Sequence, residues 1–411
     1  MRKFLLLVLL AALVAMPMLA QDDEGPARTG LRPDAPPYGV RGPHPVGTMD
    51  MVIEGENPID ITIWYPALNP DGLEEAVLYH FNAQDKLAFE IPPIEAFHYG
   101  HALADAVPNA AAAPYPMVVY SAGFGVDRYA AFYLTEQLAS YGFVVVAPNH
   151  TEVWDPMQMA IGDATIHRPL DILATIAYMD TLAAPDGAMA GIIDMERIAT
   201  AGWSYGGYTA LTTAGGRFDS DAFAARCAAF PPDSPFVHTV CEHIVPRAEI
   251  LAEIAGLEVV PVGPWPSWSD PRVQAVVTLA GTGILQEDSL SEITAPVLAL
   301  VGTYDSQGRG LTFAQDIYGS VSSEHKALVT LIGADHQIFN NACKDTAGIV
   351  EIGFFGACSD PIWDMDRAHD LTNHFVTAFL LAELYGDEDA RAALAPDAVS
   401  FPGIGYEAVG Y

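Results

Sequence analysis

The chain of 411 residues carries 52 Asp plus Glu against 18 Lys plus Arg, a formal net charge of −34, and 51% of its residues are hydrophobic. A surface of this sign repels polyanions, which argues against a nucleic-acid partner and against docking on anionic lipid through a basic patch. The apolar content, with 10% aromatic residues, excludes intrinsic disorder. The length allows one large α/β domain or two ordinary ones.

The N-terminus has the three-part layout of a secretory signal peptide. Arg2 and Lys3 precede an apolar run from Phe4 to Met16, and a polar segment follows Ala20. The run is too short to span a bilayer comfortably. We expect residues 1–20 to be a signal peptide cleaved after Ala20, and the protein to be secreted or periplasmic. An uncleaved N-terminal anchor is the alternative, and no later segment predicts a stable membrane span.

The cysteines form an even set, which suits an oxidising compartment: Cys227, Cys241, Cys343 and Cys358. Three pairings are possible, and the simplest joins sequence neighbours, Cys227 with Cys241 and Cys343 with Cys358. Each bridge would close a loop of about 15 residues, worth roughly 3 kcal/mol in the chain-entropy model. A zinc site is the alternative, but the spacings lack a C-x-x-C pair.

The first part of the chain predicts a flexible segment and then a hairpin. Residues 21–46 are rich in Pro, Gly and charge and predict a mobile entry segment. Thr48–Glu54 and Ile59–Tyr65 follow as strands, because apolar and polar residues alternate in the second, and the Gly-Glu-Asn-Pro between them suits an antiparallel turn.

The rest of the chain repeats one unit, a short apolar run followed by a helical stretch. Continuous Val-rich runs are typical of strands buried on both faces, and helices between them indicate crossovers and a parallel sheet. We therefore predict one α/β domain over residues 47–411, a mostly parallel sheet with helices on both faces and antiparallel N-terminal strands. Two irregular insertions are expected at about 66–114 and 217–270. The predicted parallel strands are Met117–Tyr120, Phe143–Ala147, Ile198–Ala201, Val273–Leu279, Val297–Val301 and Ala327–Ile332.

The sharpest motif is Gly202-Trp203-Ser204-Tyr205-Gly206-Gly207, which follows a predicted strand and precedes a predicted helix. This is G-x-S-x-G in the strand-turn-helix context of a nucleophile elbow. The glycines let the chain turn sharply and leave the Ser204 hydroxyl exposed. A simple tight turn is the alternative.

An activated serine needs a base, and the base needs an acid that orients it. Asp305 follows the strand Val297–Val301, and His336 follows the strand that ends at Ile332. The chain order Ser, Asp, His, each at the end of a strand, is that of an α/β-hydrolase. Asp335 is the competing acid, but its adjacency to His336 favours a turn role. The chemistry requires no metal and no organic cofactor.

The remaining site residues are predicted from their places in the loops. The oxyanion hole would use the backbone N–H groups of Phe124, in the loop after Met117–Tyr120, and of Tyr205. Arg168 and Asp171 share a helix face and predict a structural ion pair. Large residues in loops could line a substrate pocket or form local cores, and the candidates are His150, Trp154, Met157, Met159, Trp203, Trp265 and Trp268.

These motifs resemble the platelet-activating-factor acetylhydrolase and dienelactone-hydrolase-like branch of the α/β-hydrolases, close to the cutinase-like polyester hydrolases. The resemblance implies a Ser204, Asp305 and His336 triad, with Phe124 and Tyr205 as oxyanion donors. It rests on the elbow, on the Asp305 and His336 motifs, and on Ile63-Trp64-Tyr65-Pro66, Tyr120–Gly125, Ala139–Val145 and Arg168-Pro169-Leu170-Asp171.

Two segments depart from the pattern of these families. Ser121-Ala122-Gly123 stands where the family often has Ser-His-Gly. Ala280-Gly281-Thr282 stands where polyester hydrolases usually carry a Trp. The second departure weakens the polyester alternative.

The sequence therefore predicts an exported, monomeric serine hydrolase that cleaves a small or lipid-like carboxylic ester. A cutinase-like polyester hydrolase is the alternative. The elbow also resembles that of prolyl-oligopeptidase-type peptidases, but fewer than 100 residues separate Gln21 from the Met117 strand, too few for their usual N-terminal propeller. A non-catalytic binding protein on the same fold would be expected to lose a triad residue.

Overall fold

A computed structural model of the protein describes residues 35–91, 95–154, 161–305 and 310–411. The predicted signal peptide, residues 21–34 of the predicted entry segment, and Met157 and Met159 lie outside these ranges. Among the described residues, no helix combines the length and the apolar character that crossing a bilayer demands.

The strands lie close to the positions that the apolar runs predict. In chain order they are β1 (Val46–Ile53), β2 (Ile59–Pro66), β3 (Val77–Phe81), β4 (Ala96–Gly100), β5 (Leu103–Ala104), β6 (Tyr115–Ser121), β7 (Val144–Pro148), β8 (Ile193–Trp203), β9 (Val273–Leu279), β10 (Val297–Gly302), β11 (Lys326–Leu331), β12 (Thr346–Ala347) and β13 (Ile404–Val409).

One large sheet organises the described residues, in the order β13-β11-β10-β9-β8-β6-β7-β2-β1-β5. The strands from β6 to β11 pair in parallel, as predicted. The antiparallel hairpin β1–β2 extends the sheet beyond β7, and β13 pairs antiparallel with β11 at the other side. Because parallel strands end at one edge of a sheet, the loops after β6, β8, β10 and β11 lie together there.

Helices cover both faces of this sheet and bury separate cores. Side chains of α1 and α9 pack in one core, and those of α2, α3 and α8 pack in the other. The helices are α1 (Phe132–Ser140), α2 (Ile161–Ala183), α3 (Tyr205–Thr213), α4 (Ser220–Ala229), α5 (Glu242–Ile244), α6 (Ala248–Ile254), α7 (Glu287–Leu290), α8 (Gly310–Ser320), α9 (Met365–Leu380) and α10 (Glu388–Ala393).

Residues 35–46 are hydrogen-bonded to α1, whereas their composition predicts a mobile segment. The Gln137 side chain on α1 donates to the carbonyl oxygens of Tyr38 and Val40 at 2.8 and 2.9 Å. The Gly42 amide donates to Ser140 Oγ at 2.8 Å. Composition gave no sign of these partners because they lie about 100 residues further along the chain.

Both insertions are more regular than predicted. The first contains β3 and β4, which form a small antiparallel sheet with β12 from the far end of the chain. The second contains α4, α5 and α6. The simplest cysteine pairing is confirmed, since Cys227 is bonded to Cys241 and Cys343 to Cys358.

Two histidines of α9 are buried, and no charged group of the described residues lies at hydrogen-bond distance from either. His369 Nε2 lies 2.8 Å from the Asn340 carbonyl oxygen, and His374 Nδ1 accepts from the Tyr38 amide at 3.4 Å. Burial lowers the pKa of each imidazole to about 4, from an ordinary value of 6.5. Below pH 6.5 the unfolded chain therefore binds protons that the folded chain does not, and folding stability falls as the pH falls toward 4.

We predict that His369→Gln reduces this loss of stability. Each buried histidine contributes a loss on the order of 3 kcal/mol between pH 6.5 and pH 4. Urea unfolding at several pH values would measure the free energy of unfolding of both proteins. His238→Gln is the control, because the His238 side chain is 57% exposed. Parallel pH curves for wild type and His369→Gln would contradict the prediction.

Candidate active site

Ser204 occupies a strained turn between β8 and α3. Its φ of 56° and ψ of −117° lie in a region that residues with a side chain rarely adopt. The Ser204 amide donates to the Leu279 carbonyl oxygen at 2.8 Å, and its own carbonyl accepts from Gly207 at 3.0 Å. These bonds hold the serine at the carboxyl edge of the sheet.

The elbow needs its glycines because there is no space for a side chain at these positions. A Cβ atom on Gly206 would overlap the carbonyl oxygen of Ser121 at the end of β6, and one on Gly202 would overlap the carbonyl oxygen of Gly206. The turn can therefore form only where both positions lack a side chain. This is the physical reason for the G-x-S-x-G spacing.

The structure brings the three predicted triad residues together. His336 Nε2 lies 2.8 Å from Ser204 Oγ, and His336 Nδ1 lies 2.7 Å from Asp305 Oδ2. The Asp305 side chain is only 2% exposed and that of His336 8%. If Nδ1 carries the proton toward the carboxylate, the Nε2 lone pair faces the serine hydroxyl, the geometry that general-base chemistry needs.

The neighbours of His336 fix the position of its backbone. Asp335 caps the short turn that begins at His336, its carboxylate accepting from the His336 amide at 2.7 Å. This matches the turn role predicted for Asp335. Trp203 Nε1 donates to the His336 carbonyl oxygen at 3.1 Å, and the two rings lie 5.2 Å apart.

Phe124 and Tyr205 both border the cavity into which Ser204 opens. Tyr205 is the first residue of α3, so its amide has no acceptor within the helix. The positive end of the helix also faces this point. These are the properties that an oxyanion donor at Tyr205 would need.

A buried arginine holds the loop that carries Phe124. Arg168 on α2 is fully buried and donates to the carbonyl oxygens of Ala122 and Gly123 at 2.6 and 2.7 Å. Its Nε donates to Glu152 at 2.8 Å. Burial alone would raise the pKa of Glu152, but the nearby Arg168, His150 and Lys86 together outweigh burial, with Arg168 the largest of the three, and the pKa falls to about 2.

The predicted ion pair between Arg168 and Asp171 is therefore wrong. Arg168 pairs with Glu152, and Asp171 Oδ2 lies 2.7 Å from His150 Nδ1. Both partners lie in the segment after β7, so helix spacing within α2 contained no information about them. A planar guanidinium can serve two carbonyl groups and a carboxylate together, which suits this buried position.

His150 belongs to a second Ser–His–Asp arrangement beneath the same loop. Its Nε2 lies 2.9 Å from Ser121 Oγ, and Asp171 is its other partner. His150 and Ser121 are each 1% exposed and lie outside the cavity wall, so the predicted pocket role of His150 is not supported. Burial and the nearby Arg168 charge lower the pKa of His150, which favours its neutral form.

A cavity of about 600 Å³ opens at Ser204. Trp154 and Trp203 border it, as predicted, whereas Trp265 and Trp268 do not. Those two residues pack beside Phe218, with Phe218 and Trp265 ring centroids 5.0 Å apart, in the core that joins the second insertion to the domain. An aromatic residue in an insertion serves a local core as readily as a pocket, and sequence pattern cannot separate these uses.

The cavity wall includes residues that the sequence did not single out. Aromatic side chains come from both insertions, from α8 and from the segment after β12, among them Phe81, Phe236, Phe313 and Phe354. In the described part of the chain, no group of three or more His, Cys, Asp or Glu side chains is arranged to hold a metal ion.

Comparisons with known proteins agree with this architecture. A family model for platelet-activating factor acetylhydrolase, isoform II, matches residues 35–156, and one for the prolyl oligopeptidase family matches residues 175–233. None of the curated proteins compared matches the chain. The solved structure of a ferulic acid esterase from Streptomyces cinnamoneus is 20% identical, with a TM-score of 0.56, over 88% of this chain and 96% of its own. The sheet order and the structural neighbour together show that the chain has an α/β-hydrolase fold.

Proposed function

We propose that the protein is an exported serine hydrolase that cleaves carboxylic esters through an acyl-enzyme on Ser204. This proposal rests on the hydrogen-bonded series Asp305–His336–Ser204. The three side chains lie at the wall of a largely apolar cavity. The match to a platelet-activating factor acetylhydrolase model and the fold shared with a ferulic acid esterase support ester bonds as the target.

The steps of the reaction follow from the hydrogen bonds that join Asp305, His336 and Ser204. His336 takes the proton of Ser204 as the hydroxyl oxygen attacks the ester carbonyl, and Asp305 stabilises the imidazolium that forms. The amides of Phe124 and Tyr205 bind the tetrahedral oxyanion. His336 then gives its proton to the leaving alcohol. Water, deprotonated by His336, attacks the acyl-enzyme; the bond to Ser204 Oγ breaks, His336 returns the proton to Oγ, and the acid is released.

The Arg168 network has a role in this proposal. The oxyanion donor at Phe124 lies on a loop whose two preceding carbonyl oxygens are both bound by Arg168. A donor is useful only if it is held where charge develops, so a rigid loop lowers the barrier without contacting substrate. Arg168 is thus a positioning residue.

The substrate is a small or lipid-like ester, since the cavity is lined mainly by aromatic and aliphatic side chains. The match of residues 175–233 to the prolyl oligopeptidase family makes peptide cleavage the second candidate. Export rests on the N-terminal layout and agrees with the two disulfides, which persist in oxidising compartments.

Ser204→Ala should lower kcat/KM for p-nitrophenyl butanoate by at least about 10³-fold, because the nucleophile is lost. The matched control is Ser121→Ala, which removes the hydroxyl of the buried Ser–His–Asp arrangement and should cost far less. Ester turnover that survives in Ser204→Ala would end the proposal. Faster cleavage of a dipeptide p-nitroanilide than of the ester would favour the peptidase.

Arg168→Lys should lower kcat by about 10²-fold and change KM little, because an ammonium group cannot bind both carbonyl groups and Glu152 as the guanidinium does. Steady-state kinetics on the same ester would measure this. Titration of Ser204 with an organophosphate would count folded sites. A variant with normal kcat would show that the loop needs no such support.

Phe313→Ala should raise KM for p-nitrophenyl octanoate by about 10-fold, since a buried phenyl ring contributes about 1.5–3 kcal/mol of apolar contact. The KM for the acetate should change little, because a two-carbon acyl group is too short to depend on that wall. An equal rise for both esters would place Phe313 outside the acyl-binding region.

A further inference from the structure

One face of α2 contacts the segments that carry both proposed oxyanion donors. Thr165, Arg168 and Asp171 follow one another at three-residue spacing on α2, so their side chains lie on one face of the helix. Arg168 holds the loop of Phe124 through two carbonyl groups. Asp171 lies 2.7 Å from His150, which in turn contacts the serine that begins this loop at 2.9 Å. Two residues of this face therefore support the Phe124 donor.

The third residue of this face holds Tyr205, whose amide is the other proposed donor. Thr165 Oγ1 lies 2.6 Å from the Tyr205 hydroxyl oxygen, and that hydroxyl lies 2.8 Å from the Ile161 carbonyl oxygen at the start of α2. A carbonyl oxygen only accepts, so the Tyr205 hydroxyl donates to Ile161 and accepts from Thr165. The Arg168 guanidinium also lies 5.6 Å from the centre of the Tyr205 ring. Tyr205 is thus bound to α2 through two hydrogen bonds and a cation–π contact.

Both hydroxyl groups are shielded from water. Tyr205 is 1% exposed, and Thr165 is fully buried. Burial raises the pKa of the Tyr205 hydroxyl well above its ordinary value of 10, so the hydroxyl stays protonated and remains a donor. Any other position of the ring would leave buried polar atoms unpaired, which is unfavourable. The Tyr205 ring therefore has one favoured position, and the backbone amide of the same residue is fixed with it.

Two amides can bind one oxyanion only if their separation is fixed. Phe124 and Tyr205 both border the cavity at Ser204, and their ring centroids lie 6.1 Å apart. Arg168 holds the first residue's loop and Thr165 holds the second residue's side chain, and these two supports lie about one turn apart on α2. Since a helix turn is a rigid spacer, α2 sets the distance between the two donors.

We propose that the hydroxyl groups of Tyr205 and Thr165 position the oxyanion hole, because they hold the Tyr205 amide at the distance from the Phe124 amide that the developing charge requires. This inference rests on the proposed esterase function and adds two positioning residues to it. Both hydroxyl groups are engaged at α2, so they act through the backbone amide and not on the substrate.

Two variants remove these hydroxyl groups at nearly constant shape. Tyr205→Phe keeps the ring, and Thr165→Val keeps the branched side chain. Each should lower kcat for p-nitrophenyl butanoate by about 10-fold and change KM little, because a misplaced donor weakens binding of the transition state and not of the ester. Thr165→Ser retains the hydroxyl group and should behave as wild type.

Inhibition by trifluoromethyl propyl ketone separates positioning of the donor from loss of folded protein. Ser204 Oγ bonds to the carbonyl carbon of this inhibitor, the serine proton passes to His336, and the carbonyl oxygen becomes an oxyanion in the hole. The inhibition constant Ki should rise by about 10-fold in Tyr205→Phe and in Thr165→Val. A smaller number of folded sites would lower kcat but leave Ki unchanged, and titration of Ser204 with an organophosphate counts those sites.

Tyr208→Phe is the matched control. Tyr208 is also fully buried on α3, and its hydroxyl donates to the Thr165 carbonyl oxygen of α2 at 2.9 Å. It lies three residues further into α3 than Tyr205, so its amide is not one of the proposed donors. The variant removes a hydrogen bond between the same two helices away from the oxyanion hole, and its kcat and Ki should match those of wild type.

The outcomes separate this inference from the function on which it rests. If wild type hydrolyses the ester while Tyr205→Phe and Thr165→Val keep its kcat and Ki, the hydroxyl groups do not position the amide and the esterase proposal stands. An equal rise of Ki in Tyr208→Phe, or the same rise in Thr165→Ser as in Thr165→Val, would also overturn the inference. If wild type hydrolyses no ester, both proposals fail. The two variants remove partners of one hydrogen bond, so either suffices if the other does not fold.

Discussion

The close approach of Gly206 to the Ser121 carbonyl oxygen is the constraint on which the site depends. It brings the turn after β8 against the end of β6, two neighbouring strands of the sheet, with no room for a methyl group between them. Ser204 and the loop that carries Phe124 are thereby placed side by side. The strain at Ser204 is tolerated because strand hydrogen bonds on one side and a helix on the other hold the turn.

Two Ser–His–Asp arrangements lie on either side of this contact, and their surroundings differ. Ser204 borders a cavity, so its hydroxyl can meet a substrate. Ser121 is 1% exposed, and burial together with the nearby Arg168 charge lowers the pKa of His150. Similar hydrogen-bond distances are therefore compatible with catalysis at one serine and with support of a loop at the other. Access and local charge, rather than residue identity, make the difference.

The insertions contribute walls of the cavity, whereas the loops at the edge of the sheet position Ser204, Asp305 and His336. The first insertion reaches the far end of the chain through the β4–β12 pair, which brings His98 beside Thr346. The second supplies Phe236 and Val240. A disulfide closes each contributing segment: Cys227 is bonded to Cys241 in the second insertion, and the bond from Cys343 to Cys358 spans β12. Both insertions therefore contribute to the wall of the cavity at Ser204.

The sequence by itself predicted the parallel strands and the hydrogen-bonded set Ser204, Asp305 and His336, and it offered the observed disulfide pairs as the simplest of three pairings. Each of these depends on local pattern: apolar runs, neighbouring cysteines, and polar residues just past strand ends, which parallel pairing must bring to one edge. Only the tertiary structure decided that Arg168 pairs with Glu152, that Trp265 lies in a core, and that His98 meets Asn341 across 243 residues. These contacts join segments that are far apart in the sequence. No sequence spacing indicates which of these segments pack together, because their packing depends on the shape and charge of the side chains.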